Sequence, residues 1–204
     1  MTAFHQELIK RFGKHSVAEL PSLEGEIPLL ILELESASQV TVIVTNGLSD
    51  YPMPVPEKYA GKEHNELCFC LPSYWDWQAL ENPKMNWIYP WIRKMATHVV
   101  EKNTWFGHGH TIPSGKDLHP FSETMKQDHF VLLHPILLAN ELKPVELSDK
   151  MVNFLAIVPI FQDEMDYKQA RGVHKLLQRF NSAGVSEILD DFRSTVLRSK
   201  WRLR

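Results

Sequence analysis

Apolar residues return along the start of this chain at two different spacings. Phe4, Leu8 and Phe12 share the face of a helix, which Thr2 can cap and Gly13 can end. The period then shortens to that of extended chain. The runs "LLILELE" (29–35) and "VTVIVTN" (40–46) are rich in β-branched and large apolar residues and predict two strands. In the second, Val40, Val42 and Val44 alternate with Thr41, Ile43 and Thr45, so one face is the more apolar, and the turn "NGLSD" closes it. In "YPMPVPEKYAG" prolines stand at alternate positions, which favours an extended, non-helical path. "HNELCFCLP" reads as a strand, with Leu67, Phe69 and Leu71 on one face and Glu66, Cys68 and Cys70 on the other.

The second half repeats the alternation of periods. "NWIYPWIRKMATHVVEKN" predicts a helix whose stripe is Trp87, Trp91 and Met95, flanked by Ile88, Ile92 and Val99. Pro90 belongs in its first turn, where a missing N–H costs least. "HFVLLHP" (129–135) and "MVNFLAIVPI" (151–160) predict further strands, and the second is apolar on both faces, as a central strand is. One helix is expected from about Glu164 to Phe180, with Ala170, Val173, Leu177 and Phe180 near one face and a stop at Ser182 to Gly184. No repeat or low-complexity linker interrupts the order. The pattern predicts an α+β fold: a mixed, largely antiparallel β-sheet flanked by helices, in a single domain over residues 1–204.

Composition narrows the function classes. A length of 204 residues, 44% of them hydrophobic, is ample for one buried core. The net charge of -3 argues against a nucleic-acid scaffold, which carries a basic face. The basic run "RSKWRLR" at the end reads as a solvated tail. The opening "MTAFHQELIKRFG" lacks the apolar run of a signal peptide, and no stretch reaches the length of a membrane span. With two cysteines in C-x-C spacing, a reducing, cytoplasmic setting is expected, with no membrane partner.

The stretch "WFGHGHTIPSG" raises the question of chemistry. In extended chain His108 and His110 point the same way, as do Cys68 and Cys70, so together they could supply the four ligands of a small metal-dependent hydrolase. Their spacings differ from the usual C-x2-C and H-x3-H of zinc sites. The plainer reading packs the cysteines as small apolar groups, and has His110 buried and fixing a corner while His108 is exposed and incidental. A phosphate cradle fails, because His110 stands where a glycine is needed and Asp117 follows Lys116. No G-x-S-x-G elbow supports Ser49, Ser73 or Ser114 as a nucleophile. No catalytic set is complete, and no cofactor or metal is implied. The residues left to meet a partner are Asp50 and Tyr51 in the proline loop, and Trp75, Asp76 and Trp77 ahead of the helix, where tryptophan beside an acid suits a protein-binding surface. Glu164 in "QDEMD" suits either a helix N-terminus or that surface.

Taken in order, "VTNGLSDYPMPVP", "NELCFCLP", "NWIYPWIRKMATHVV", "GHGHTIP", "FLAIVPIFQDEMD" and "GVHKLLQRFNSAGVSEILDDFR" resemble the Suppressor of fused domain family, especially its short bacterial members. The matching positions are Thr45, Asn46, Gly47, Leu48 and Ser49; Glu66, Leu67 and Pro72; Gly109, His110 and Ile112; and Pro159 and Glu164, within a core of about residues 25–193. The resemblance implies a binding protein rather than an enzyme. The animal relative holds a transcription-factor peptide as an added strand between two domains, and this chain is similar to the N-terminal one. For the bacterial members it implies an immunity protein whose partner is a toxin domain. A peptide-binding module using an open sheet edge is the remaining alternative.

Overall fold

The computed structural model describes residues 1–22, 24–34 and 39–197. Glu35 and the basic run 198–204 lie outside the described residues. Helix α1 (Ala3–Phe12) begins where the Thr2 hydroxyl accepts the His5 N–H at 3.0 Å, and ends at Gly13. The strands are β1 (Val17–Leu20), β2 (Leu29–Leu34), β3 (Val40–Thr45), β4 (Asn65–Leu71), β5 (Thr111–Pro113), β6 (His129–Leu133), β7 (Val145–Glu146) and β8 (Met151–Ile160). The other helices are α2 (Pro83–Asn86), α3 (Ile88–Glu101), α4 (Gln162–Arg171) and α5 (Val173–Ala183). The predicted fold class holds.

The sheet runs β1-β2-β3-β4-β8-β6-β5, with β7 paired to the start of β8. The β4–β8 pairing is parallel and the other neighbours are antiparallel. Helices cover both faces. On one, Ile88, Ile92, Met95 and Val99 of α3 pack on Ile31, Ile43, Phe69, Phe130 and Ile157. On the other, Phe4 and Leu8 of α1 with Leu176 and Phe180 of α5 pack on Leu30, Val42, Cys68, Phe154 and Val158. This double cover explains why β4 is buried at every position and why β8, paired on both sides, is buried from Val152 to Ile160. It also removes the predicted difference between the faces of β3: the valines lie under α1 and α5, yet Ile43 is equally buried beneath α3.

The single helix expected from about Glu164 to Phe180 is two. Gly172, at φ 84° and ψ 158°, leaves the helical region and turns the chain between α4 and α5. The apolar spacing of Ala170, Val173, Leu177 and Phe180 runs across the break and hides it.

The sheet also forks. β4 and β8 pair over Asn65–Cys68 and Asn153–Ala156, after which β4 takes another neighbour. Cys70 bridges to Ile188, and its carbonyl accepts the Leu189 N–H at 2.8 Å. The chain after α5 is thereby wedged into the sheet, and this places Glu187 in the interior.

Candidate binding site

The motif residues are occupied with one another. Glu66, wholly buried on β4, receives the turn that follows β3. Its Oε1 accepts the N–H groups of Gly47 and Ser49, each at 3.0 Å, and its Oε2 accepts that of Leu48 at 3.3 Å. The Thr45 hydroxyl donates to the same carboxylate while accepting the Leu67 N–H at 2.9 Å. Burial pushes the Glu66 carboxyl up, and the donors from Thr45 and the turn oppose it. The Asn46 side chain accepts from Thr2, and Ser49 offers its carbonyl to His64 Nδ1 at 2.7 Å. The T-N-G-L-S and E-L segments are thus two halves of one clamp.

A second clamp closes the other end of the chain. Glu164 is wholly buried, which corrects its candidacy as a partner contact. Its two oxygens take the Arg193 guanidinium in a bidentate pair, 2.7 Å on each arm. They also accept the N–H of Phe161, as a helix-capping acid does, at 3.1 Å, and that of Val196 at 2.9 Å. Arg193 donates further to the Pro159 carbonyl at 2.7 Å and lies over the Phe161 and Phe180 rings. Pro159, Glu164 and Arg193 tie β8, α4 and the C-terminal segment together.

The GHGH corner is fastened to β6. The Gly109 N–H donates to the Leu132 carbonyl at 2.7 Å, and the His110 carbonyl accepts the Leu132 N–H at 2.9 Å, which starts the pairing that continues through Ile112. Gly109 has φ 85°, and a Cβ there would stand 3.2 Å from Val173. The expected order of exposure holds, although His110 is only half-buried, its ring edge-on to Trp105 at 4.2 Å between centroids. His108 is exposed but engaged: its Nδ1 accepts the His134 N–H at 3.1 Å, and the two rings stack at 5.1 Å. Burial lowers the pKa of His108, His110 and His134, helped by His134, Lys168 and Lys62 respectively. Cys68 and Cys70 are buried on β4, with β8 and β6 between them and the corner, so the four proposed ligands do not converge. Among the described residues, His, Cys, Asp and Glu form no group of three placed to hold a metal ion.

The remaining candidates are distributed differently. Trp75, expected as a partner contact, is instead buried at 5% exposure, set edge-on against Trp87 in the core beneath α3. Asp76 is exposed and accepts the Gln78 N–H at 3.0 Å. Trp77 is half-buried against the same core, and its carbonyl accepts the Tyr89 hydroxyl at 2.6 Å. Burial, with the charge of Asp76, pushes that phenol up to about 12. Trp75, Asp76 and Trp77 nonetheless line one groove of about 800 Å³. Its other wall comes from His15, Glu33, Gln39 and Thr41, around the ends of β2 and β3. These four give no sequence signal, because only the folded chain brings His15, ahead of β1, and the ends of β2 and β3 to one groove with the tryptophans. Asp50 and Tyr51 lie outside the groove lining: Asp50 pairs with Lys150 at 2.6 Å and the Tyr51 hydroxyl donates to Asn103.

Comparison with known proteins places this architecture. The family model described as Suppressor of fused protein (SUFU) matches residues 25–194. A solved structure titled a putative SUFU homolog from Neisseria gonorrhoeae FA 1090 is 17% identical with a TM-score of 0.63, each chain covered over 96% of its length. The Sufu-Fu complex structure contains a chain 17% identical with a TM-score of 0.68, over 95% of this chain and 91% of that one. Drosophila Suppressor of Fused is 16% identical with a TM-score of 0.55, over 88% of this chain but only 42% of that one. No curated protein matches the sequence.

Proposed function

This chain belongs to the Suppressor of fused family, and from that premise we propose that it is a cytoplasmic protein-binding domain that neutralises a bacterial toxin domain by covering it. It performs no chemistry of its own on this reading. The observation that carries the proposal is the groove: Trp75, Asp76 and Trp77 share it, while the motif carboxylates Glu66 and Glu164 are fully occupied inside the fold. Aromatic surface beside the Glu33 and Asp76 carboxylates suits a basic partner, since complementary charge steers association and rejects wrong partners. The Sufu-Fu structure is itself a complex of a family member, which supports binding as the mode of action.

The alternatives have less support. A hydrolase built on His108, His110, Cys68 and Cys70 lacks a common point for its ligands. Strand addition is served poorly by the sheet edges: β1 has four residues and carries Glu19, and β5 has three and ends in Pro113. Among the described residues no helix is long and apolar enough to cross a membrane. Co-expression with the product of the adjacent gene tests the proposal. A stable complex and rescue from that product's toxicity are expected; neither complex nor rescue overturns it.

A further inference from the structure

Three glutamates are buried among the described residues, and one of them is only half satisfied. Glu66 and Glu164 have hydrogen bonds on both oxygens. Glu187, at 2% exposure, has them on one. Its Oε1 accepts the N–H groups of Ile136 at 3.0 Å and Leu138 at 2.6 Å. Among the described residues its Oε2 is buried with no hydrogen-bond partner, and none of their ion pairs includes it. A buried oxygen of this kind costs free energy until a donor reaches it. The neighbouring thiol of Cys70 is pushed well up by Cys68, burial and the Glu187 charge.

Glu187 stands in the wall of a cavity of about 340 Å³ lined by Leu133, Ile136, Leu137, Leu177, Phe180 and Val185. At its rim Ile136 and Leu137 remain 60% and 59% exposed. A cavity of this size with mostly apolar walls, the polar side chains of Asn181 and Ser186 and one charged residue in its lining has the make-up of a ligand site. The two backbone donors pin the carboxylate beforehand, so little is lost in ordering it on binding.

We propose that this cavity binds a primary ammonium on a short alkyl stem, the stem lying among Leu133, Leu177 and Phe180 and the ammonium completing Glu187. A free alkylamine and a lysyl side chain of a polypeptide share this chemistry. The site has no residue in common with the tryptophan groove, and its failure leaves the toxin-binding reading untouched.

Titration of the full chain with n-hexylammonium and with n-hexanol tests it. Hexylammonium is expected to bind about tenfold or more tightly than the alcohol, because a charge-assisted bond forms only with the first. Glu187→Gln keeps an acceptor for Ile136 and Leu138 and is expected to fold, losing that preference while still taking hexanol. Ile136→Ser, on an exposed side chain, is expected to weaken both probes alike. A third titrant, acetyl-Leu-Lys-Leu-amide, separates the sources: tighter binding than hexylammonium assigns the site to a polypeptide lysine, weaker binding to a free amine. Equal binding of amine and alcohol, an unaltered preference in Glu187→Gln, or no binding of hexylammonium overturns the proposal.

Discussion

The carboxylate clamps and the tryptophan groove use the same kinds of residue to opposite ends. At Glu164 an acid, an arginine and two aromatic rings are closed on each other with little water contact. At the groove Asp76 and Glu33 are exposed, in no ion pair among the described residues, and Trp77 is half-buried. Among the motif residues the carboxylates Glu66 and Glu164 are wholly buried, while His110 and Ile112 are half-buried. On the proposed reading, binding falls to side chains such as Glu33 and Asp76 that the fold leaves exposed.

The largest effect that could break this contrast is at the clamps. Glu164→Ala strands the buried Arg193 charge and is expected to cost about 3–5 kcal/mol, a fall in Tm of about 10 °C for a chain of this size. Glu66→Ala leaves the Gly47, Leu48 and Ser49 N–H groups without their acceptor, at about 3 kcal/mol. Calorimetric scans check both, and a near-neutral result at either would show the clamp to be open. Trp75→Ala sharpens the division within the groove itself. Truncating this core indole is expected to cost about 3 kcal/mol, whereas Trp77→Ala, half-exposed, is expected to cost about 1 kcal/mol.

A smaller effect concerns acid. The pKa values of His108, His110 and His134 are lowered by burial, so the folded chain takes up their protons less readily than the unfolded one. Their contribution is complete above the ordinary histidine value of 6.5 and is lost as pH falls through the lowered values. Tm is therefore expected to fall on acidification from about pH 7 to about pH 5, and less steeply in a His108→Ala, His134→Asn double variant that removes the stacked pair. An unchanged slope would assign the acid response to other groups.

The sequence made the layers legible because helix and strand periods differ and the runs are long. β8 announced its two-sided burial through apolar residues on both faces, whereas Glu66 gave one face of β4 a polar look that hid its burial. The short strands β1, β5 and β7 carried too few residues to show a period. Gly172 was visible, but apolar spacing continued across it. The clamps were legible as motifs and not as contacts: Thr45 and Glu66 stand 21 residues apart, and Glu164 and Arg193 stand 29 apart. Only the sheet register and the returning C-terminal segment bring them together. Trp75 and Trp77 looked alike in sequence because period-free segments do not say which side chain turns inward.

The central claim is that binding resides in the groove and not in the motif residues. Its most direct test is the affinity of the adjacent gene's product for the wild type and for an Asp76→Lys, Trp77→Ala double variant. Asp76 is exposed, so its reversal is expected to cost only the hydrogen bond from the Gln78 N–H, about 1 kcal/mol, and a scan of the double variant checks that it remains folded. The account predicts a loss of about a hundredfold in affinity, as for a buried anchor and its flanking charge. Unchanged affinity in a folded double variant would contradict it.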